Sequence, residues 1–262
     1  MKILVTGAGG YIGKSIVNAL REIHDVDGIT RADLDLLNTN DVLKFFKKKY
    51  YDVVIHCAVA GGSRLKQDSW QVLDQNLIMY YNLVSCRGSY ERLIHFGSGA
   101  EIYMFDTPYG YSKSVISKSM KNDSQFYNIR IFALFDENEL DTRFIKASLL
   151  NYINKRPIVI HKNRYMDFFY MKDLISVVNY YITEEEPTFR EYNCSYLSHN
   201  NMQTLESIAN YINTLNNYTV PININDHFMD MDYISKTTQS IKDIQYIGLF
   251  EGIKQTYQKL SK

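Results

Sequence analysis

The chain has 262 residues, 29 Lys plus Arg against 29 Asp plus Glu, 45% hydrophobic and 22% charged residues. That composition excludes a largely disordered chain. The zero net charge argues against a general nucleic-acid binder, which needs excess cations to neutralise phosphates, but leaves room for a local pocket holding one phosphorylated ligand. No apolar run nears the roughly 20 residues that a membrane helix requires. Met1-Lys2-Ile3-Leu4-Val5 lacks a secretory pattern, so a cytoplasmic protein is expected. Cys57, Cys86 and Cys194 are too widely spaced for a zinc pattern and too few for a disulfide framework; they read as reduced, buried thiols.

In chain order, Ile3-Leu4-Val5 predicts a short buried strand and a helix follows from Gly13, with Ile16, Val17 and Leu20 at helical spacing. Asp27-Gly28-Ile29-Thr30 is a second, weaker strand. Asn40 is positioned to cap a helix carrying Val42, Leu43, Phe45 and Phe46. Val53 to Ala58 reads as a third strand, 70–86 as a helix, Leu93 to Phe96 as a strand, 109–121 as a helix, and Ile129 to Leu134 as a strand. Strands alternating with helices imply a parallel sheet covered on both faces. Beyond Phe135 the alternation fades. Phe144–Ile153 predicts a helix and Ile158-Val159-Ile160 a strand. Asp173 is placed to cap a helix holding Leu174, Val177, Val178 and Tyr181, which Glu184-Glu185-Glu186-Pro187 should end. Thr204 is placed to cap a helix through Ile212. The Asn-rich stretch 213–226 reads as loop, and 241–260 as a terminal helix broken near Gly248.

The most specific local signal is Thr6-Gly7-Ala8-Gly9-Gly10-Tyr11-Ile12-Gly13, between the first strand and first helix. Glycines here allow a tight turn and close backbone approach to a pyrophosphate, while free N–H groups at the helix start face the negative charge. Gly7, Gly10, Tyr11, Ile12 and Gly13 are therefore the expected phosphate-binding residues. The second strand ends in Thr30-Arg31 with no acid until Asp33. A cation there suits the 2′-phosphate of NADP, whereas a carboxylate suits the ribose of NAD. Arg31 thus points to NADP, with NAD possible, unless it is only a solvated charge.

Tyr109-Gly110-Tyr111-Ser112-Lys113 places a phenol and an ammonium at i,i+4, on one helix face. A free tyrosine titrates near 10, and an adjacent ammonium stabilises its phenolate, which suits it to proton transfer. The pair follows Gly97-Ser98-Gly99-Ala100-Glu101-Ile102-Tyr103, where Ser98 can hydrogen-bond a substrate oxygen.

Together, the glycine loop, Asp52-Val53-Val54-Ile55-His56-Cys57-Ala58, the Ser98 segment, the Tyr109/Lys113 pair and Asp167-Phe168-Phe169-Tyr170-Met171-Lys172-Asp173-Leu174 resemble, in order, the extended short-chain dehydrogenase/reductases of the NAD-dependent epimerase/dehydratase family. Thr30 to Leu37 and Ala58-Val59-Ala60-Gly61-Gly62 are most similar to NADPH-dependent nucleotide-sugar 4-ketoreductases of the GDP-fucose synthase type. The resemblance implies an α/β fold: a Rossmann-type doubly wound parallel sheet with a small C-terminal α/β substrate lobe. A dinucleotide-binding core would span 1–134. The substrate lobe would take 135–262, with segments near 167–183 and 190–197 returning to the core.

It also implies Tyr109, Lys113 and Ser98 as catalytic residues, Ala58 and Lys113 beside the cofactor, and a nucleotide sugar as substrate. The expected reaction is NAD(P)H-dependent reduction of a 4-keto deoxysugar nucleotide, feeding bacterial surface polysaccharide. The alternatives are a nucleotide-sugar epimerase with tightly bound NAD, and a dinucleotide-binding sensor without turnover. Relatives dimerise through the helices at 70–86 and 109–121, so a homodimer is expected.

Departures from the pattern bear on chemistry. The usual catalytic Ser or Thr position is Gly99, with Ser98 one residue earlier, and the segment from Ser98 to Tyr109 is short. Glu101 stands where the GDP-fucose synthase type has a cysteine acid/base. It is either a proton shuttle or an anchor for a backbone amide or ribose. The histidine that assists epimerisation falls near Arg143, which subtracts from an epimerase. Arg143 and Arg164 are candidates for the sugar nucleotide, since a guanidinium grips phosphate oxygens in bidentate fashion. His24, His56, His95, His161, His199 and His227 show no metal spacing; His56 and His95 read as structural.

Overall fold

The computed structural model describes residues 1–63, 66–196, 202–226 and 228–262; His199, His227 and position 197 of the expected returning segment lie outside them. Strand and helix alternate through β1 (Lys2–Thr6), α1 (Tyr11–Leu20), β2 (Asp25–Ile29), α2 (Thr39–Phe46), β3 (Tyr51–His56), α3 (Gln71–Val84), β4 (Tyr90–Ser98), α4 (Ala100–Tyr103), α5 (Pro108–Met120) and β5 (Phe126–Ile131). The chain continues with β6 (Leu134–Phe135), α6 (Phe144–Ile153), β7 (Ile158–Lys162), β8 (Phe169–Tyr170), α7 (Met171–Thr183), β9 (Glu191–Cys194), α8 (Leu205–Ile212), β10 (Ile222–Asp226) and α9 (Leu249–Leu260).

Six strands form one sheet in the order β2-β1-β3-β4-β5-β9, and β1 pairs in parallel with both β2 and β3, as β3 does with β4. This is the Rossmann-type sheet that the alternation predicts. The strand order reverses between β1 and β3, and ligands of such sheets bind outside the carboxyl ends of the strands at that switch. The central strands are apolar on both faces: Ile3, Leu4, Val5, Val53, Val54 and Ile55 are all buried, as a sheet covered by helices on each side requires.

Contacts divide the chain into two units, 1–130 with 177–192, and 131–176 with 193–262. In the first, Leu4, Val54, Leu83 and Leu93 pack with Phe46, Tyr80 and Tyr90. In the second, β7 pairs in parallel with β10 and β6 with β8, around a separate core that includes Phe135, Leu149, Tyr152, Ile208 and Ile253.

Several elements differ from the sequence reading for local reasons. Asn38, not Asn40, caps α2: its side chain accepts from Asp41 N, so the helix opens two residues earlier. The stretch read as loop contains β10, where Ile222 and Ile224 alternate with asparagines and are half-buried against β7. The last helix begins only at Leu249, because Gly248 sits at φ 85°, where the backbone leaves helical geometry. Among the described residues, no helix is long and apolar enough to cross a membrane, and no group of three or more His, Cys, Asp or Glu is placed to hold a metal.

Asp173 lies within the first turn of α7 rather than capping it. α7 begins two residues before it, and the buried carboxylate accepts from Ile247 N at 2.8 Å, from Gly248 N at 3.0 Å and from the Tyr196 hydroxyl. It thereby ties the turn before α9 to the second unit's core. Removing it strands several donors away from water, each costing about 1–3 kcal/mol. Asp173→Ala is expected to lower stability by about 3 kcal/mol in urea titrations; a loss below about 1 kcal/mol would show that the turn holds without it.

Candidate active site

The glycine loop lies at the switch between β1 and β3. Gly7 has φ 66°, and a Cβ there would lie 2.6 Å from Ala58 N, so only glycine lets the two backbones meet. A Cβ on Gly13 would collide with the Gly7 carbonyl, which also accepts from Gly10 N at 3.0 Å. The turn therefore folds back tightly on the start of α1. Gly10 is the N-cap of α1 and supplies no side-chain cap, so the first turn, at Tyr11, Ile12 and Gly13, keeps an open anion-facing end. Ala8 N donates to Ile29 O at 3.0 Å, bringing the loop beside the end of β2. There Asp33 accepts from Thr30 N and Thr30 Oγ1 at 2.9 and 2.8 Å. Arg31 donates to Asp35 through Nε and Nη2 at 3.2 and 3.1 Å, with a side chain 75% exposed.

Past β3, the chain is clamped by Asn76 of α3. Its Oδ1 accepts from Ala60 N at 2.8 Å, and its Nδ2 donates to Ala60 O at 3.1 Å and Ser112 Oγ at 3.0 Å. Gly62 follows at φ 74°, and a Cβ there would lie 2.8 Å from Tyr109 Cε2. The Tyr109 ring thus rests against bare backbone of the segment that begins at Ala58. Sequence reasoning passed over Asn76, although a polar residue on the buried, apolar face of a helix was its signal.

α5 starts where Thr107 Oγ1 accepts from Gly110 N at 3.1 Å and Pro108 fills the first turn. This fixes Tyr109 in the first turn and Lys113 one turn later. Lys113 is 4% exposed, and its Nζ donates to Phe96 O at 2.7 Å, lies 3.4 Å from His95 Nε2 and sits 5.9 Å from the centre of the Tyr109 ring. Burial pushes the ammonium down to about 8, opposed by the charge of Glu101 and then by Cys57. Burial also holds His95 well below its usual range and takes His56 down to about 3, each with a further push from Lys113. The two imidazoles lie 5.4 Å apart, and His56 Nδ1 is 2.9 Å from Thr6 Oγ1.

Ser98 and Glu101 form a single arrangement. Glu101 Oε1 accepts from Ser98 N at 2.9 Å; Oε2 accepts from Arg130 Nε and Nη2 at 2.9 and 2.8 Å. The pair is buried, with side chains 4% and 11% exposed. Gly97 leaves the space that this carboxylate and Asn128 occupy. Ser98 Oγ accepts from Ala100 N at 3.1 Å, which leaves its own hydrogen uncommitted by that bond. Arg130 was the missed residue here; a guanidinium inside the apolar run Ile129-Arg130-Ile131-Phe132 was the sign of it.

Arg143 and Arg164 belong to the second unit. Arg143 is the N-cap of α6, and Arg164 Nη1 pairs with Asp230 at 3.2 Å. Tyr109, Lys113, Ser98, Glu101, Arg31, Ala58 and the glycine loop all belong to the first. Breaking the buried pair leaves Glu101 charged without its partner, so Arg130→Met is expected to cost about 3–5 kcal/mol in denaturant titrations. A loss under about 1 kcal/mol would mean that Ser98 N and Asn128 Nδ2 satisfy the carboxylate without it.

A model of the family described as NAD dependent epimerase/dehydratase matches residues 3–195. The chain is 27% identical over 162 residues to GDP-L-colitose synthase of Yersinia pseudotuberculosis, covering 59% of this chain and 48% of that protein. It is 33% identical over 102 residues to GDP-L-fucose synthase of Azorhizobium caulinodans, covering 37% of this chain and 33% of that one. The matched stretches thus span about half and a third of these relatives' lengths. In fold it is similar to GDP-mannoheptose C4 reductase from Campylobacter jejuni with NADP bound, with a TM-score of 0.78 at 17% identity over 100% of this chain and 98% of that one. The chain belongs to the NAD dependent epimerase/dehydratase family.

Proposed function

We propose that this protein reduces a nucleotide-linked 4-keto deoxysugar with NADPH. The observation that carries the reading is the buried ammonium of Lys113, held by Phe96 O within 5.9 Å of the Tyr109 ring, in the unit that carries the glycine loop. The loop fits a dinucleotide: Gly7 and Gly13 leave a cradle that a Cβ would fill, and the start of α1 has no side-chain cap. Arg31 favours the 2′-phosphate of NADP, because its exposed pairing with Asp35 is worth little and yields to a phosphate. NAD remains the other candidate.

When bound, the reduced nicotinamide supplies the hydride. Tyr109 gives its phenolic proton to the sugar's carbonyl oxygen. Lys113 stabilises the negative charge that then grows on the phenol oxygen, and its ammonium is placed to hold the ribose. Ser98 donates its hydroxyl hydrogen to the same carbonyl oxygen and polarises it. Glu101, committed to Ser98 N and Arg130, anchors the serine rather than moving protons. Arg143 and Arg164 are the second unit's candidates for the charge of the nucleotide. We also propose a homodimer through α3 and α5, whose Ile78, Tyr81 and Tyr111 are 42%, 45% and 47% exposed.

The test is consumption of NADPH, compared with NADH, across 4-keto sugars linked to GDP, dTDP and UDP. Turnover of at least one is expected, with NADPH preferred. Tyr109→Phe should lower kcat by about 10²–10⁴-fold while cofactor binding persists. Because Lys113 is charged only below about 8, turnover should fall as pH rises through that value. Interconversion of epimers without cofactor consumption would favour an epimerase; unchanged turnover in Tyr109→Phe would remove this mechanism. In light scattering the wild type should be a dimer and Tyr81→Glu a monomer; a monomeric wild type would remove the assembly.

A further inference from the structure

Lys113 is buried deeply enough that its charge depends on what surrounds it. The groups facing it come from every element around it. β4 contributes Phe96 O at 2.7 Å and His95 Nε2 at 3.4 Å. The end of β3 contributes His56 and Cys57, α4 the charge of Glu101, and its own helix Tyr109. Glu101 acts at longer range, already bonded to Arg130 and Ser98 N. Among the described residues, Phe96 O and His95 Nε2 lie within hydrogen-bond distance of the ammonium.

An ammonium donates and never accepts. Contact with it requires that His95 Nε2 present its lone pair, which places the ring hydrogen on Nδ1. Both rings beneath Lys113 are neutral, since burial opposes their protonation. A neutral ring with its lone pair toward the cation stabilises the charged form of Lys113. A protonated ring would repel it. Among the described residues no hydrogen-bond partner reaches the buried His95 Nδ1, a cost carried by this arrangement of the ring. The surroundings explain how the ring is held: Tyr80 meets it edge-on at 6.1 Å and His56 lies 5.4 Å away.

We infer that His95 is a positioning residue for Lys113: its neutral imidazole accepts from the ammonium through Nε2, steers it with Phe96 O toward Tyr109, and keeps it charged through neutral pH. The role rests on the reductase reading for its effect on turnover, while the Lys113–His95 contact itself can be tested without turnover. A hydrogen bond to a charged group that shifts proton affinity tenfold moves the midpoint by one pH unit.

The experiment follows the Lys113 side chain by the carbon shift of its Cε in protein labelled at lysine, without cofactor. Wild type should titrate near 8. His95→Leu, which keeps bulk and loses the acceptor, should titrate about one unit lower. His95→Gln, whose Oε1 can accept in place of Nε2, should recover most of the shift. A midpoint unchanged or raised in folded His95→Leu overturns the inference. Should that variant fail to fold, nitrogen shifts of His95 in the wild type decide: hydrogen on Nδ1 supports the role, and hydrogen on Nε2 overturns it. Where the wild type consumes NADPH, the alkaline limb of kcat/KM for His95→Leu should move down by the same interval. Where it consumes none, the reductase reading fails and the titration still decides the role of His95.

Discussion

A charge withdrawn from water must be met by compensating groups or give up its proton. Lys113 imposes that condition on the whole first unit. Its ammonium, 4% exposed, is met by Phe96 O from β4 and opposed in its desolvation chiefly by Glu101 from α4. Glu101 is itself a buried charge and is met by Arg130 from β5. Arg130 also lies 3.7 Å from Glu191 of β9. Residues of two helices, α5 and α4, and two neighbouring strands, β5 and β9, thus form one alternating series of charges. Each member would be costly alone.

The glycines of the same region follow from closeness rather than from flexibility. At Gly7 a neighbouring backbone occupies the place of a side chain, at Gly62 the Tyr109 ring does, and at Gly97 a carboxylate and an amide do. Two of these three have positive φ, and the third is glycine for space alone. All three lie at or just past the carboxyl ends of β1, β3 and β4, where the chain passes closest to its neighbours.

How much of this was legible depends on the distance over which each signal acts. The glycine loop, the Tyr109–Lys113 pair and the alternation of strands and helices are local patterns, and the structure contains the elements they imply. Helix ends shifted by a residue or more where two capping residues competed, as Asn38 and Asn40 do. β10 was hidden because an Asn-rich composition reads as loop, although Ile222 and Ile224 kept the period of a strand. Asn76, His95 and Arg130 belong to another class. Each is polar or charged within an apolar pattern, and each finds its partner 16 to 29 residues away or across α5. A single sequence marks such residues as anomalies but does not name the group they meet, because the pairing is made by the sheet.

The fate of Glu101 bears on what the site can do. A proton shuttle must exchange its proton and turn toward the substrate. This carboxylate accepts two bonds from Arg130, one from Ser98 N and two longer ones from Asn128 Nδ2, so turning it would break a buried ion pair and release the backbone on which Ser98 stands. Where the GDP-fucose synthase type has a cysteine acid/base, this chain has a carboxylate bonded to Ser98 N and Arg130. Epimerisation next to a carbonyl needs a base to remove a proton and an acid to return one. Reduction needs a single proton delivered to the oxygen, the role proposed for Tyr109. With Glu101 committed to Arg130, the reduction proposed for this chain asks less of the groups beside Tyr109 than an epimerisation that removes a carbon-bound proton would.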